Sequence, residues 1–197
     1  MQNNPTTVHR QLIHTLRMAN ISDDVANELA RNFQVVSKRN NILLSKGKIA
    51  NHVFFIDSGY VILESEINGN SFTRHIAKPG EFITVIESFT SRQPSKETLK
   101  MTKGAIIYAM GHTDFILFSE RYPELERAFG KVLQDTLISC QARINDLLSL
   151  SAEAYYEKLI SETPYILQAV PQYELSSYLG IKPQSLSRIR KKLADVS

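Results

Sequence analysis

Between Lys182 and Lys192 the chain carries five basic residues and no acidic one, on a segment whose apolar residues recur at helical spacing. Gln184, Ser185 and Arg188 stand at i, i+1 and i+4 near the start of that segment. An arginine can bond guanine through O6 and N7 together, and a glutamine can do the same with adenine N6 and N7. Arg190, Lys191 and Lys192 are placed to neutralise phosphates, which adds affinity and salt dependence without choosing a sequence. The candidate DNA-binding set is therefore Lys182, Gln184, Ser185, Arg188, Arg190 and Lys191.

Such a face is useful only if a second helix holds it. The stretch from Gln172 to Lys191 meets the requirements of a helix-turn-helix. Ser176 is small where the helices would cross, and Gly180 tolerates the positive φ of the turn. Pro183 suits the first turn of the second helix, where its missing N–H costs nothing. Leu175, Leu179, Ile181, Leu186 and Ile189 fall where apolar plugs are needed.

Upstream, Pro123 opens a helical pattern that runs to about Ser149, then Ser151 caps a short helix to about Ser161. Within the long helix Leu133, Leu137, Cys140, Ile144 and Leu147 are spaced 4-3-4-3, a two-heptad apolar seam. The seam suits either a second copy of the chain or the chain's own barrel. Before position 114 the pattern differs. Residues 6–19 read as a helix with apolar Val8, Leu12, Ile13, Leu16 and Met18, and Ser22 as the N-cap of a second helix to about Phe33. Short β-rich runs follow at Asn41–Leu44, Val53–Ile56, Tyr60–Ile67, Ser71–Ile76, Phe82–Val85, Thr98–Met101 and Ala105–Met110. Asn68-Gly69 between two of them is a hairpin signal. Strands of this length and spacing imply a sandwich or jelly-roll-like barrel.

Composition narrows the chemistry. The 197 residues are 43% hydrophobic and 22% charged, with a net charge of +3. No apolar run approaches the roughly 18 residues of a membrane span, and the polar start Met1–Pro5 does not read as a signal peptide, so a cytoplasmic location is expected. Cys140 is the only cysteine, which excludes an internal disulfide and a Cys-only zinc or iron–sulfur site. Five histidines are scattered without ligand spacing, so no metal site and no cofactor is identified. Neither a nucleophile elbow nor a phosphate-cradling glycine loop is present, and an enzyme is not expected.

The order of these parts resembles the Crp/Fnr regulators, the catabolite-activator-like transcription factors. Phe55-Ile56-Asp57-Ser58-Gly59-Tyr60-Val61, Pro79-Gly80-Glu81-Phe82, Tyr178-Leu179-Gly180-Ile181 and Leu186-Ser187-Arg188-Ile189-Arg190 carry the likeness, the last two most specifically. The resemblance implies an α+β chain. Its parts are an N-terminal β-roll (jelly-roll-like) sensor domain of the cyclic-nucleotide-binding kind over residues 1–113, a long dimerisation helix over 114–150, and a helix-turn-helix over 151–197. No wing follows before Ser197. It implies a homodimer on double-stranded DNA with half-sites about 34–36 Å apart, the seam at Leu133, Leu137, Cys140, Ile144 and Leu147 as its interface, and RNA polymerase as a candidate partner.

The sensor site departs from the family pattern. The glutamate that holds ribose in cyclic-AMP-binding members falls at Val85, and the arginine that holds the phosphate falls at Ser95. The hydroxyl positions that meet adenine fall at Cys140 and Gln141. Lys96 is adjacent and is the candidate replacement cation, with Arg92 nearby. Cyclic AMP is therefore disfavoured, and Val85, Ser95, Lys96 and Gln141 are left as pocket candidates for another effector. A second reading remains open, in which the chain is a small-molecule sensor whose helical tail binds a protein rather than DNA.

Overall fold

A computed structural model describes residues 9–36 and 41–194. Helix α1 (Arg10–Met18) buries Leu12 and Leu16, and α2 (Asp23–Asn32) buries Ala26, Leu29 and Ala30. Val8, expected on the first helix, lies outside the described residues. Ser22 precedes α2 with acidic residues behind it, but its hydroxyl makes no cap bond. It donates instead to Glu124 Oε1 at 2.8 Å, tying α2 to the start of the long helix. The helix also stops one residue short of expectation, because Phe33 is already extended and leads into β1 (Gln34–Val35).

The remaining strands are β2 (Ile42–Leu44), β3 (His52–Ser58), β4 (Val61–Ile67), β5 (Asn70–Ala77), β6 (Phe82–Ile83), β7 (Glu97–Met101) and β8 (Ile106–Gly111). They form two four-stranded sheets in the orders β1-β8-β3-β6 and β2-β7-β4-β5. All described pairings are antiparallel. This is the mixed helix-and-sheet architecture that the short runs imply. The β4–β5 turn uses Asn68 and Gly69 at φ 51° and 76°, both positive as a two-residue hairpin requires. Phe55, Ile56, Val61, Leu99, Ile107 and Met110 from both sheets join Leu12 and Leu29 in one core.

One expected strand is shortened. Of Phe82–Val85 only Phe82 and Ile83 pair, opposite Phe55 and Phe54. Val85 turns the chain into α3 (Ile86–Ser91), six residues that bury Ser88 and Phe89. Fewer than two turns leave no periodicity to read.

From there the chain is helical: α4 (His112–Arg121), α5 (Pro123–Ser149), α6 (Ala152–Glu162), α7 (Ile166–Ala169), α8 (Gln172–Tyr178) and α9 (Pro183–Ala194). Pro123 opens α5, and Ser151 Oγ accepts from the Ala154 N–H at 3.2 Å to cap α6, both as expected. The four-residue α7 was not legible. Among the described residues no helix is long and apolar enough to cross a membrane.

Gly59 between β3 and β4 has φ +77°, and a Cβ added there would fall 2.6 Å from Ala105 Cβ. Gly59→Ala thus combines positive-φ strain with overpacking and is expected to cost about 2–4 kcal/mol. The loss would be seen as a lower urea midpoint at unchanged m-value.

Candidate nucleic-acid interface and effector cavity

Helices α8 and α9 meet around Gly180, whose φ is +70°. The Ile181 N–H donates to Ser176 O at 3.0 Å and the Gly180 N–H to Ser177 O at 3.1 Å. These are the two bonds of a Schellman ending, which needs a left-handed residue at that point. Ser176 is 1% exposed, Leu175, Leu179 and Leu186 are buried, and Ile181 and Ile189 pack partly against them. On the other side of α9, Lys182, Gln184, Arg188, Arg190 and Lys191 are exposed and Ser185 half-buried. Among the described residues Lys182, Arg188, Arg190 and Lys191 form no ion pair, whereas Lys192 is bound to Glu153 at 2.7 Å. Four cations of the proposed set are thus free to meet an external anion, and Lys192 is engaged with α6.

The helix pair does not stand alone. Tyr60, Ile62 and Ile76 on the outer face of the second sheet join Tyr155, Leu159, Ile166, Leu175, Leu179 and Leu186 in one apolar cluster. A β-bulge makes this possible. Leu63 pairs with His75 but Glu64 pairs with Thr73, so Arg74 is an extra residue on β5. Arg74 and His75 both line the inner cavity, while Thr73 and Ile76 meet the C-terminal helices. Thr73 Oγ1 donates to Glu174 Oε2 at 2.5 Å, and the Thr73 N–H donates to Ser177 Oγ at 2.8 Å. Burial and the neighbouring Glu64 push the Glu174 carboxyl above the usual carboxylate range. Burial beside Glu174 also pushes the Tyr173 hydroxyl up to about 12.

The long helix supports the same unit. Arg143 Nη2 donates to Tyr178 O at 2.8 Å, and its guanidinium lies 4.4 Å from the Tyr178 ring centre. Lys158 on α6 grips Asp146 through both oxygens, at 2.8 and 2.7 Å. The five seam residues separate by surroundings. Leu133 lines an inner cavity, and Leu147 lies at the Gly180 turn, where an added Cβ would be 3.5 Å from its Cδ2. Leu137 and Ile144 are 59% and 53% exposed, and Cys140 is exposed at the cavity edge. Ile138 and Leu148, absent from the heptad reading, extend the exposed apolar strip.

A cavity of about 340 Å³ lies between the barrel, α1, α2 and α5. Leu29, Phe33, Phe82, Val85, Phe129 and Leu133 are among the apolar residues that dominate its wall. Arg74 is its only lysine or arginine among the described residues, and it is ion-paired with Glu97. Burial, with Arg143 and Lys78 nearby, pushes His75 down to about 4, so it is neutral near pH 7. Of the four pocket candidates, Val85 alone lines this cavity, while Val85, Ser95 and Lys96 together line a neighbouring hollow of about 410 Å³. Ser95 is buried, its hydroxyl donating to Glu97 O at 2.9 Å. Lys96 points outward, paired with Glu87 at 3.2 Å, and Gln141 is exposed. Arg92 is held by Ala50 O at 2.7 Å and by the Asn51 side chain.

Glu174, Thr73 and Glu64 were missed in sequence. The only hint is the unbroken run Tyr60-Val61-Ile62-Leu63, which marks a strand covered on both faces.

No protein-family model matches the chain, and no curated protein sequence matches it. Solved structures do. The c-di-GMP-responsive global regulator CLP of Xanthomonas campestris matches with a TM-score of 0.65 at 15% identity, over 88% of this chain and 92% of that one. A CooA variant from Carboxydothermus hydrogenoformans matches at 0.64 and 16% identity, over 94% and 84%. The catabolite activator protein of Thermus thermophilus matches at 0.56 and 18% identity, over 92% and 87%. A cyclic nucleotide-binding domain from Methylobacillus flagellatus, at 0.59 and 14% identity, covers 71% of the chain. At these identities the likeness is one of fold, and the fold is the cyclic-nucleotide-binding fold carried by regulators of the catabolite-activator type.

Proposed function

We propose that the protein is a sequence-specific DNA-binding transcription regulator, with α8 and α9 as its helix-turn-helix. The observation that carries this reading is the outer face of α9. Gln184, Ser185 and Arg188 lie near its N-terminal end, and Lys182, Arg188, Arg190 and Lys191 have no acidic partner among the described residues. A recognition helix presents base-reading groups there and surrounds them with phosphate contacts. The fold neighbours support the reading, since two of them are described as a catabolite activator and a global regulator of gene expression.

The protein acts as a homodimer in this proposal, with a second copy covering Leu137, Ile138 and Ile144 on α5. More than half of each of these large apolar side chains is exposed, and their face runs on toward the helix pair that must be duplicated to read a near-palindromic site.

Cyclic AMP is not the effector in this reading. Its phosphate would enter a cavity whose guanidinium is already committed to Glu97 and whose wall also carries Glu87. A buried phosphate without a matching cation is strongly disfavoured. A compact uncharged molecule suits the apolar lining better.

Arg188→Ala is expected to weaken binding to the best DNA site, selected from random fragments, by about 1–3 kcal/mol and to relax one base position. Lys191→Ala should weaken all sequences alike and reduce the salt slope by about 1. Fluorescence anisotropy over a salt series reads both, and equal affinity of Arg188→Ala and wild type would remove Arg188 from the reading face. The double variant Leu137→Glu, Ile144→Glu is expected to sediment as a monomer while keeping its helical content. Cyclic AMP at millimolar concentration should leave the melting temperature unchanged. A saturable rise would reopen the nucleotide site.

A further inference from the structure

The polar centre of the contact between barrel and C-terminal helices is a pair of acidic residues. Glu174 on α8 is 2% exposed and Glu64 on β4 is 8% exposed. Glu174 Oε2 accepts the Thr73 hydroxyl, but its Oε1 is buried without a donor. Besides Thr73, the side chains that reach the Glu174 carboxyl are the Tyr173 hydroxyl and Glu64, and Glu64 is itself ion-paired with Lys100 on β7. Two charged carboxylates are both acceptors and repel one another, whereas one proton between them makes a donor. A single proton therefore changes this water-poor contact from repulsive to bonded.

We propose that Glu174 and Glu64 form a proton-gated latch that holds the C-terminal helical unit on the barrel and releases it when the proton between them is lost. The orphaned Oε1 becomes the donor to Glu64 in the latched state, and no buried oxygen of Glu174 is then left without a partner. The direction follows from linkage. Burial and Glu64 raise the Glu174 carboxyl when the unit is docked, so the docked state binds the proton more tightly than the released one. Docking is thus fully favoured at pH below the ordinary carboxylate range and is lost as pH rises through the raised value.

The other groups around the contact do not imitate this behaviour. Tyr173 beside the carboxyl is pushed up to about 12, and His75 on β5, which faces Arg143 and Lys78, is pushed down to about 4. Neither changes charge appreciably between about pH 5 and about pH 9. Arg74, between Thr73 and His75 on β5, is tied to Glu97. Ser177 and Thr73 contribute only neutral hydrogen bonds. The consequence for DNA binding rests on the proposed function, but the latch itself involves no DNA.

The test measures distance rather than DNA affinity. Spin labels are placed on the barrel and on α9 through Lys48→Cys and Ser187→Cys, with the exposed Cys140 changed to serine. Labelled protein is mixed with excess unlabelled protein, so that each dimer carries one labelled copy, and electron–electron distances are recorded from about pH 5, just above the ordinary carboxylate range, to about pH 9. The short, docked distance is expected to take its largest share at the acid end and to lose it as pH rises. The ratio of released to docked protein should then rise by up to about tenfold per pH unit above the raised value. Glu174→Gln should stay docked throughout, because an amide donates to Glu64 at every pH. Glu64→Gln should also stay docked, its amide donating to Glu174, and it decides the matter if the first variant does not fold. An unchanged wild-type distribution, or a Glu174→Gln profile that follows wild type, overturns the latch. A pH-dependent distance in a protein that binds no DNA would overturn the DNA reading alone.

Discussion

The outer face of the sheet β2-β7-β4-β5 carries an apolar patch of Tyr60, Ile62 and Ile76, and the chain covers it with its own C-terminal helices. Tyr60, Ile62 and Ile76 cannot face water without cost, and the hydrophobic residues of α6, α7, α8 and α9 close over them. Full burial of a large aliphatic side chain contributes about 1.5–3 kcal/mol, against about 0.5–1.5 kcal/mol for an ordinary internal hydrogen bond. The apolar contact therefore sets where the helix pair rests. The polar residues among it decide how firmly. Everything that α9 could do outside the molecule begins from this resting position.

The bulge in β5 lets one strand serve two compartments. A strand in strict alternation would send only every second side chain inward. With Arg74 inserted, Arg74 and His75 line the cavity in succession, and Thr73 and Ile76 on either side meet the C-terminal helices. The cavity and the docking face are therefore separated by one layer of backbone. A change in the β4–β5 register would disturb both together, which makes this ladder, rather than a loop, the physical link between them.

Features that depend on a few adjacent residues were legible in sequence, and those that depend on distant contacts were not. The turn at Gly180, Pro183 at the start of α9 and the Asn68-Gly69 hairpin were readable because each is decided by local backbone geometry. Seven of the eight strands were found to within a residue or two, whereas the two-residue β1 was missed, and α3 and α7 are too short to show a period. Ser22 looked like a cap until its hydroxyl met Glu124, 102 residues away. Glu174 is one acidic residue in a first helical turn with nothing local to single it out, and only its contact with Thr73, 101 residues upstream, sets it apart. The heptad seam was visible as a pattern whose spacing left two destinations open, a second copy or the barrel, and only the family resemblance chose the first. A 4-3 spacing describes a stripe, and the surroundings divide that stripe among a cavity wall, an exposed strip and the Gly180 turn.

Helix α5 runs unbroken from Pro123 to Ser149 and touches the cavity through Leu133, the exposed strip through Leu137 and Ile144, and the tail through Arg143 and Leu147. At about 1.5 Å per residue, Leu133 and Leu147 are about 21 Å apart along a single rod. Their relative direction is fixed by helical phase, not by contacts between them. One residue inserted between them would swing the tail by about 100° about the axis, while seven would return it to within about 20° of its original bearing. Seven residues would also lengthen the rod by about 10.5 Å, and because the tail is docked on the barrel, chain length in this segment is held by rise as well as by bearing.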